Sequence, residues 1–323
     1  MVCKLAMDID IHKIQQDIKS RNSDVVKEIN SVLEYIDEIY SRIDWSVYEL
    51  LENADNIGSK NVKFELDNGK LLVKNDGLCF TNEDFKRICS VNTPINRNSL
   101  IDRSFGFGFK SVFNFSNDVR IFSNKIGIRF FEASGRDLWK IFPHEVEGLD
   151  IEGGYQTIFE FILQNKQDSM AKSLFEISVE ILIFLKSVEC IVIEDLDGGN
   201  VLTLRKSVRE KGEAKIVTIN RILNKKVQEN FNYVCYSKEF SIPERIRINN
   251  CKQTKVVIAI PISKVSDSVS IYRRIYPVTG KKNTGFMLSG DFITTMNFDE
   301  IVDNEWNSWL LDSVLDYVNL ELK

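Results

Sequence analysis

Histidine is scarce in this 323-residue chain: there are two, His12 and His144, and neither has a metal-type neighbour. Histidine-based zinc chemistry and a histidine-dependent catalytic triad are therefore not expected. The six cysteines (Cys3, Cys79, Cys89, Cys190, Cys235 and Cys251) form no C-x-x-C pair. That scatter argues against a zinc ribbon or a disulfide scaffold and for a reducing, cytoplasmic setting. Long apolar runs are missing too. The longest, Ile181 to Leu185, is far short of a membrane span and reads as core. The amino-terminal residues turn acidic by Asp8, too soon for a signal peptide. The expectation is a soluble intracellular protein without a membrane partner. Basic excess is lacking as well, because the net charge is −5, so nucleic acid is an unlikely partner. The lysine- and arginine-rich stretch from Arg205 to Lys226 reads as a solvated face.

Two common phosphate-binding motifs are also absent. A P-loop requires glycine immediately before its Lys-Ser pair, where this chain has Phe109. A dinucleotide fingerprint requires a third glycine at the position of Ser111, with a strand directly before the loop. The residues ahead of Gly106, Asn92 to Ser99, instead form a polar stretch.

What the chain does contain is three short signatures in order. Helical spacing predicts two helices between Ile11 and Arg42, broken near Ser20 to Asn22, and another from Val47 to about Asn56. That last helix carries Glu49 and Asn53 on one face, one turn apart. Alternating strands at Asn61–Leu66 and Leu71–Lys74 flank the turn Asp67-Asn68-Gly69 and lead to Asn75-Asp76-Gly77. A helix from Asn82 to about Cys89 follows Thr81. The loop Phe105-Gly106-Phe107-Gly108-Phe109-Lys110-Ser111 then enters a short helix ending by Ser116. Strands at Asp118–Ser123, Gly127–Glu132 and Gln156–Leu163 complete a first domain, 1–166. The second domain, 167–323, is expected to hold a helix over Met170–Lys186, a hairpin over Cys190–Lys206, strands near Val227–Ser237 and Lys255–Pro261, and a final helix from about Glu300.

The residue types suit a magnesium–nucleotide site. An Asn53 carbonyl tolerates the octahedral geometry of Mg²⁺, and a carboxylate one turn away, Glu49, suits a base acting on water. Asp76 can accept from an exocyclic amine such as that of adenine, while Gly77 permits close approach. Gly106 and Gly108 free backbone amides for phosphate oxygens, Lys110 adds a point charge, and Ser111 closes the loop. Thr157 can hydrogen-bond near the base. The alternating phenylalanines beside the glycines read as packing residues.

This set resembles the Bergerat-fold ATPases, the superfamily of gyrase, heat-shock chaperones and histidine kinases, and within it the sacsin-type branch. The loop Phe105–Phe113, the helix Leu50–Asp55 and the strand Val73–Phe80 carry the likeness, and Gly285–Thr295 and Asp303–Leu311 extend it. The resemblance implies an α+β fold, a Bergerat α/β sandwich followed by a smaller α/β domain. It implies ATP and Mg²⁺ as cofactors, with Glu49 as general base and Asn53 as metal ligand. Asp76, Gly77 and Thr157 would lie at the adenine, and Gly106, Gly108, Lys110 and Ser111 at the phosphates. The stretch Asn92 to Ser104 would be a lid. The chain departs from the pattern in two places: Leu78, Cys79 and Phe80 follow Gly77, and no arginine follows Thr294. Two functions are compatible with this reading. One is an ATP-driven switch that self-associates or binds a protein effector; the other is a nucleotide-sensing module that does not hydrolyse. A histidine kinase fits poorly, since Lys13 follows His12.

Overall fold

The computed structural model describes residues 10–39, 42–91, 108–134, 138–247, 251–262, 271–280, 285–295 and 298–321. Two amphipathic helices come first, α1 (Ile11–Lys19) and α2 (Ser23–Ile39). Asp10 starts the first of them, its carboxylate accepting from the Lys13 amide at 2.9 Å. The next helix, α3 (Ile43–Asn56), begins a turn before the expected Val47. β1 (Asn61–Asp67) and β2 (Lys70–Asn75) then form a hairpin. Its turn residues Asn68 and Gly69 have φ of 47° and 76°, the left-handed pair that matches strand twist. α4 (Asn82–Ile88) carries a capping box between Thr81 and Asp84. The segment Gly108–Asn114 is helical as expected but wound as a 3-10 turn.

Four strands follow: β3 (Asp118–Ser123), β4 (Ile126–Phe131), β5 (His144–Val146) and β6 (Thr157–Ile162). The expected helix over Met170–Lys186 is two pieces, α5 (Gln167–Phe175) and α6 (Ile181–Phe184). The β-branched pair Ile177 and Val179 disfavours continuation. Beyond α6, Asp55 of α3 accepts the amides of Lys186, Ser187 and Val188 at 3.0, 2.6 and 3.0 Å, which ends the helix in a turn held from the side.

The rest is mostly sheet. β7 (Cys190–Asp195), β8 (Asn200–Lys211), β9 (Ala214–Leu223), β10 (Lys226–Ser241) and β11 (Gln253–Pro261) run in sequence. Short strands β12 (Ile271–Arg273), β13 (Tyr276–Pro277) and β14 (Met287–Gly290) precede α7 (Glu305–Glu321). The last helix starts after the expected Glu300 because Asn304 Oδ1 accepts the Asn307 amide at 2.8 Å and acts as its cap.

Among the described residues all strands join one mixed sheet, in the order β13-β12-β14-β11-β10-β9-β8-β7-β1-β2-β6-β3-β4-β5. The class is α+β. The boundary read between residues 166 and 167 falls between β6 and α5, and the sheet runs across it, because β7 pairs in parallel with β1. One side of the sheet carries Phe64, Val73, Phe161, Ile193 and Leu204 into the main core, shared with Leu51 and Ala54 of α3 and Leu174 of α5. The other side carries charges in cross-strand pairs: Lys63 with Glu194 at 2.5 Å, Lys74 with Glu65 at 3.0 Å and Arg120 with Glu160 at 2.9 Å. No described helix is long and apolar enough to cross a membrane.

Candidate functional site

Helix α3 is built to bury two faces, and the candidate residues divide between them. Ser46, Glu49 and Asn53 line the side facing the segment Gly108–Asn114, while Trp45, Tyr48 and Glu52 face the carboxy-terminal half. Ser46 Oγ donates to the Ser111 carbonyl at 3.0 Å, which ties the glycine segment to the first turn of α3. Glu49 is buried, and its carboxylate lies directly against the Cα of Gly108. A Cβ added to Gly108 would sit 1.7 Å from Glu49 Oε2 and 2.2 Å from its Cδ, so any larger residue would displace the Glu49 carboxylate. Asn53, one turn further on, is half-buried on the same side. Ser111 Oγ is buried and has no hydrogen-bond partner among the described residues. Gly106 and the stretch Asn92 to Ser104 read as a lid lie outside the described residues.

Lys110 does not reach away from the protein. It is fully buried, and its Nζ donates to the carbonyls of Ile88 and, at 3.1 Å, of Lys140. The rings of Phe109 and Phe130 are each 5.6 Å from Nζ, and that of Phe113 is 5.8 Å away. In this arrangement Lys110 fastens the glycine segment to the end of α4 and to the turn at Leu138–Ile141. Burial pushes its pKa down to about 7, and burial pushes the neighbouring Cys89 thiol up to about 12. The unfolded chain keeps the lysine proton up to its ordinary value of 10.5. Between those values the unfolded state holds more protons at this lysine than the folded state, so its contribution to stability rises with pH, opposed above 9.0 by the raised Cys89 thiol. Lys110→Met is expected to remove this rise, worth up to a few kcal/mol. Denaturant titrations across the window check it, and an unchanged slope would contradict a buried titrating amine.

The strand alternation of β2 decides which residue of Asn75-Asp76-Gly77 faces the interior. Leu71, Val73 and Asn75 point to the α3 side, and Asn75 is buried there. Asn75 Oδ1 accepts from Ser59 Oγ at 3.2 Å and sits 3.4 Å from the Gly77 amide. Asn75 pairs across strands with Thr157, which in turn pairs with Ser123. Ser123 Oγ and Thr157 Oγ1 are 2.7 Å apart, and Ser123 Oγ also accepts the Phe80 amide at 3.0 Å. Ser59, Asn75, Thr157 and Ser123 thus form a buried polar row in an otherwise apolar wall. Gly77 borders it: a Cβ there would meet Ser59 Oγ at 2.5 Å and the Ile57 carbonyl oxygen at 2.9 Å.

Asp76 points elsewhere. Its Oδ1 accepts the backbone amides of Lys60 and Asn61, each at 2.8 Å, and its Oδ2 accepts from Asn61 Nδ2 at 2.6 Å. The carboxylate serves as the anchor for the start of β1. The structure therefore joins Glu49, Asn53, Gly108 and Ser111 along α3, puts Thr157 and Gly77 at the polar row, and turns Asp76 and Lys110 toward backbone partners. Asn75 is the residue missed by the sequence reading, although the alternation Leu71, Val73, Asn75 could have found it.

On its other face α3 meets the carboxy-terminal half. Arg274 Nη1 is 3.3 Å from Glu52 Oε1 and its Nε is 2.8 Å from Asp291 Oδ1, while Tyr276 donates its hydroxyl to Glu52 Oε2 at 3.0 Å. Burial would lower the guanidinium's pKa, but Asp291 and Glu52 outweigh it and raise the value.

No protein-family model matches the chain. It is similar to Protein NO VEIN of Arabidopsis thaliana, at 24% identity over 312 aligned residues that cover 85% of this chain. The chain spans 11% of that plant protein's length. No group of three or more His, Cys, Asp or Glu among the described residues is arranged to hold a metal ion.

Proposed function

We propose that the face of α3 bearing Glu49 and Asn53 binds Mg-ATP in a Bergerat-type pocket and hydrolyses it slowly, as a switch coupled to the carboxy-terminal half. The observation that carries this reading is the seating of the Glu49 carboxylate against Gly108, where a glycine segment meets a helix bearing an amide one turn away. The donor set is compatible with magnesium in the mode that ion favours, with few protein ligands and the remainder from phosphate and water. Asn53 would be that ligand, and the buried Ser111 hydroxyl has hydrogen-bonding capacity to offer. Bound Mg-ATP would supply the phosphoanhydride whose terminal phosphoryl group passes to water. Glu49 would hold that water and take its proton. The row Ser59, Asn75, Thr157 and Ser123 offers a planar base both donors and acceptors. The distant similarity to the plant protein supports no activity by itself.

Comparison of Asn75→Ala with Asp76→Asn tests the site. Asn75→Ala is expected to weaken Mg-ATP binding roughly tenfold or more, the value of one buried hydrogen bond, while Asp76→Asn lowers thermal stability and leaves affinity unchanged. The reverse pattern in equilibrium binding and melting would return the base contact to Asp76. A second reading, binding without turnover, is favoured by Lys110 being held by Ile88 and Lys140 carbonyls. Phosphate release from the wild-type chain separates the two.

A further inference from the structure

The sheet face opposite the main core is closed in two ways and then left open. Over β7, β1, β2 and β6 its charges are paired, as described above. Over β10 and β11 it is covered by α7: Ile258 and Val256 pack with Leu310, Val314 and Tyr317, and the Phe240 and Tyr317 rings meet at 6.3 Å. Val234, Tyr236, Lys238 and Phe240 share this face of β10, and the cover reaches as far as the cross-strand pair of Tyr236 with Ile258.

The next row has no cover among the described residues. It runs across four strands as Arg209, Ile216, Val234 and Ile260, each the direct partner of the next. Ile260 is 39% exposed and Ile262, beside it, 58%. Arg209 and Lys211 are exposed on the same face of β8 and have no carboxylate partner among the described residues, unlike the paired charges over β7, β1, β2 and β6.

Helix α7, already seated on that face, has an unused flank. Leu315 and Val318, 56% and 36% exposed, recur at helical spacing beside its buried stripe, next to Leu311, which is half-buried against the cluster beneath the helix. Asp312 and Asp316 lie one turn apart next to them, exposed and without a cation partner among the described residues. Residues one turn apart on a helix are separated by about 6 Å along its axis, and alternate residues on a strand by about 6.6 Å. The spacing of the two acids thus matches that of Arg209 and Lys211.

We propose that this face is a homodimer interface in which α7 of each copy lies over the open row of the other. The occupant is a second copy because the same chain carries both halves of the match side by side. An apolar row edged by two bases meets an apolar stripe edged by two acids. A two-fold axis between them uses each half twice, the isologous arrangement that closes on itself. The apolar side chains supply the affinity, and the charge pairs fix register and orientation.

Sedimentation equilibrium of the purified chain at micromolar concentration should give twice the chain mass. Arg209→Glu with Lys211→Glu, and separately Asp312→Lys with Asp316→Lys, should each weaken self-association roughly tenfold or more. A mixture of the two doubly substituted proteins should form a heterodimer, since both of its interfaces are complementary again. A wild-type monomer at every concentration would overturn the proposal and leave the face to another kind of partner. A dimer indifferent to these substitutions, or a mixture that stays monomeric, would overturn it equally. Carbodiimide cross-linking of mixed ¹⁴N- and ¹⁵N-labelled wild-type chains adds a variant-free measurement. Links between Lys211 and Asp316 of different copies support the interface, and links only within one copy contradict it.

Discussion

Replacing Glu49 with alanine is expected to leave Mg-ATP bound and to slow its hydrolysis by roughly 100- to 10,000-fold, the range typical of losing a positioned general base. The carboxylate is buried beside Gly108, one turn from Asn53 on α3, and none of the pocket's other described residues offers a carboxylate in its place. Asp55 is committed to the three amides at Lys186–Val188, Glu52 to Arg274 and Tyr276, and Asp76 to Lys60 and Asn61. Phosphate release and nucleotide binding, measured on the same preparation, check the outcome. Turnover unchanged by the substitution would remove Glu49 from the mechanism, and loss of binding would make it a structural residue.

Gly108→Ala is expected to do the same by a different route. The new methyl group would occupy the place of the Glu49 carboxylate, since its contacts there are far inside van der Waals separation. Glu49 would have to swing away from the glycine segment, and hydrolysis should fall about as far as in Glu49→Ala. The two changes act on one contact, so their effects should not add. The double variant Gly108→Ala with Glu49→Ala should turn over no more slowly than either single variant. It should also melt above Gly108→Ala alone, because removing the side chain relieves the overlap. Additive losses in turnover would show that Gly108 serves some other element of the site.

How far the sequence made this legible depends on whether the signal was local. The hairpin at Asn68-Gly69, the start of α4 after Thr81 and the end of α3 at Asn56 rest on neighbours in the chain, and all are found where spacing and turn chemistry put them. The charges from Arg205 to Lys226 are a solvated face as expected, with Arg205, Arg209, Lys211 and Lys215 exposed, but the strands β8 and β9 that carry them are not legible in the charge pattern. Those charges alternate with Val217 and Ile219, which are buried, and the density of charge masks that period of two. The turn that follows α6 is held by Asp55, more than a hundred residues away, and is invisible to any local rule. In the candidate site, Glu49 and Gly108 were both named, but their contact is a tertiary fact. The choice between Asn75 and Asp76 was within reach, because Leu71 and Val73 set the phase of β2. The position of Lys110 was not: its partners are main-chain carbonyls of Ile88 and Lys140, and a carbonyl leaves no trace in residue type.

Titration calorimetry of the purified chain with ATP, in the presence and absence of magnesium, addresses the pocket itself. The account predicts one saturable site per chain, tighter with magnesium than without, and magnesium dependence lost in Asn53→Ala. Absence of heat and of competition by ADP at millimolar nucleotide would contradict it, whatever the geometry around α3.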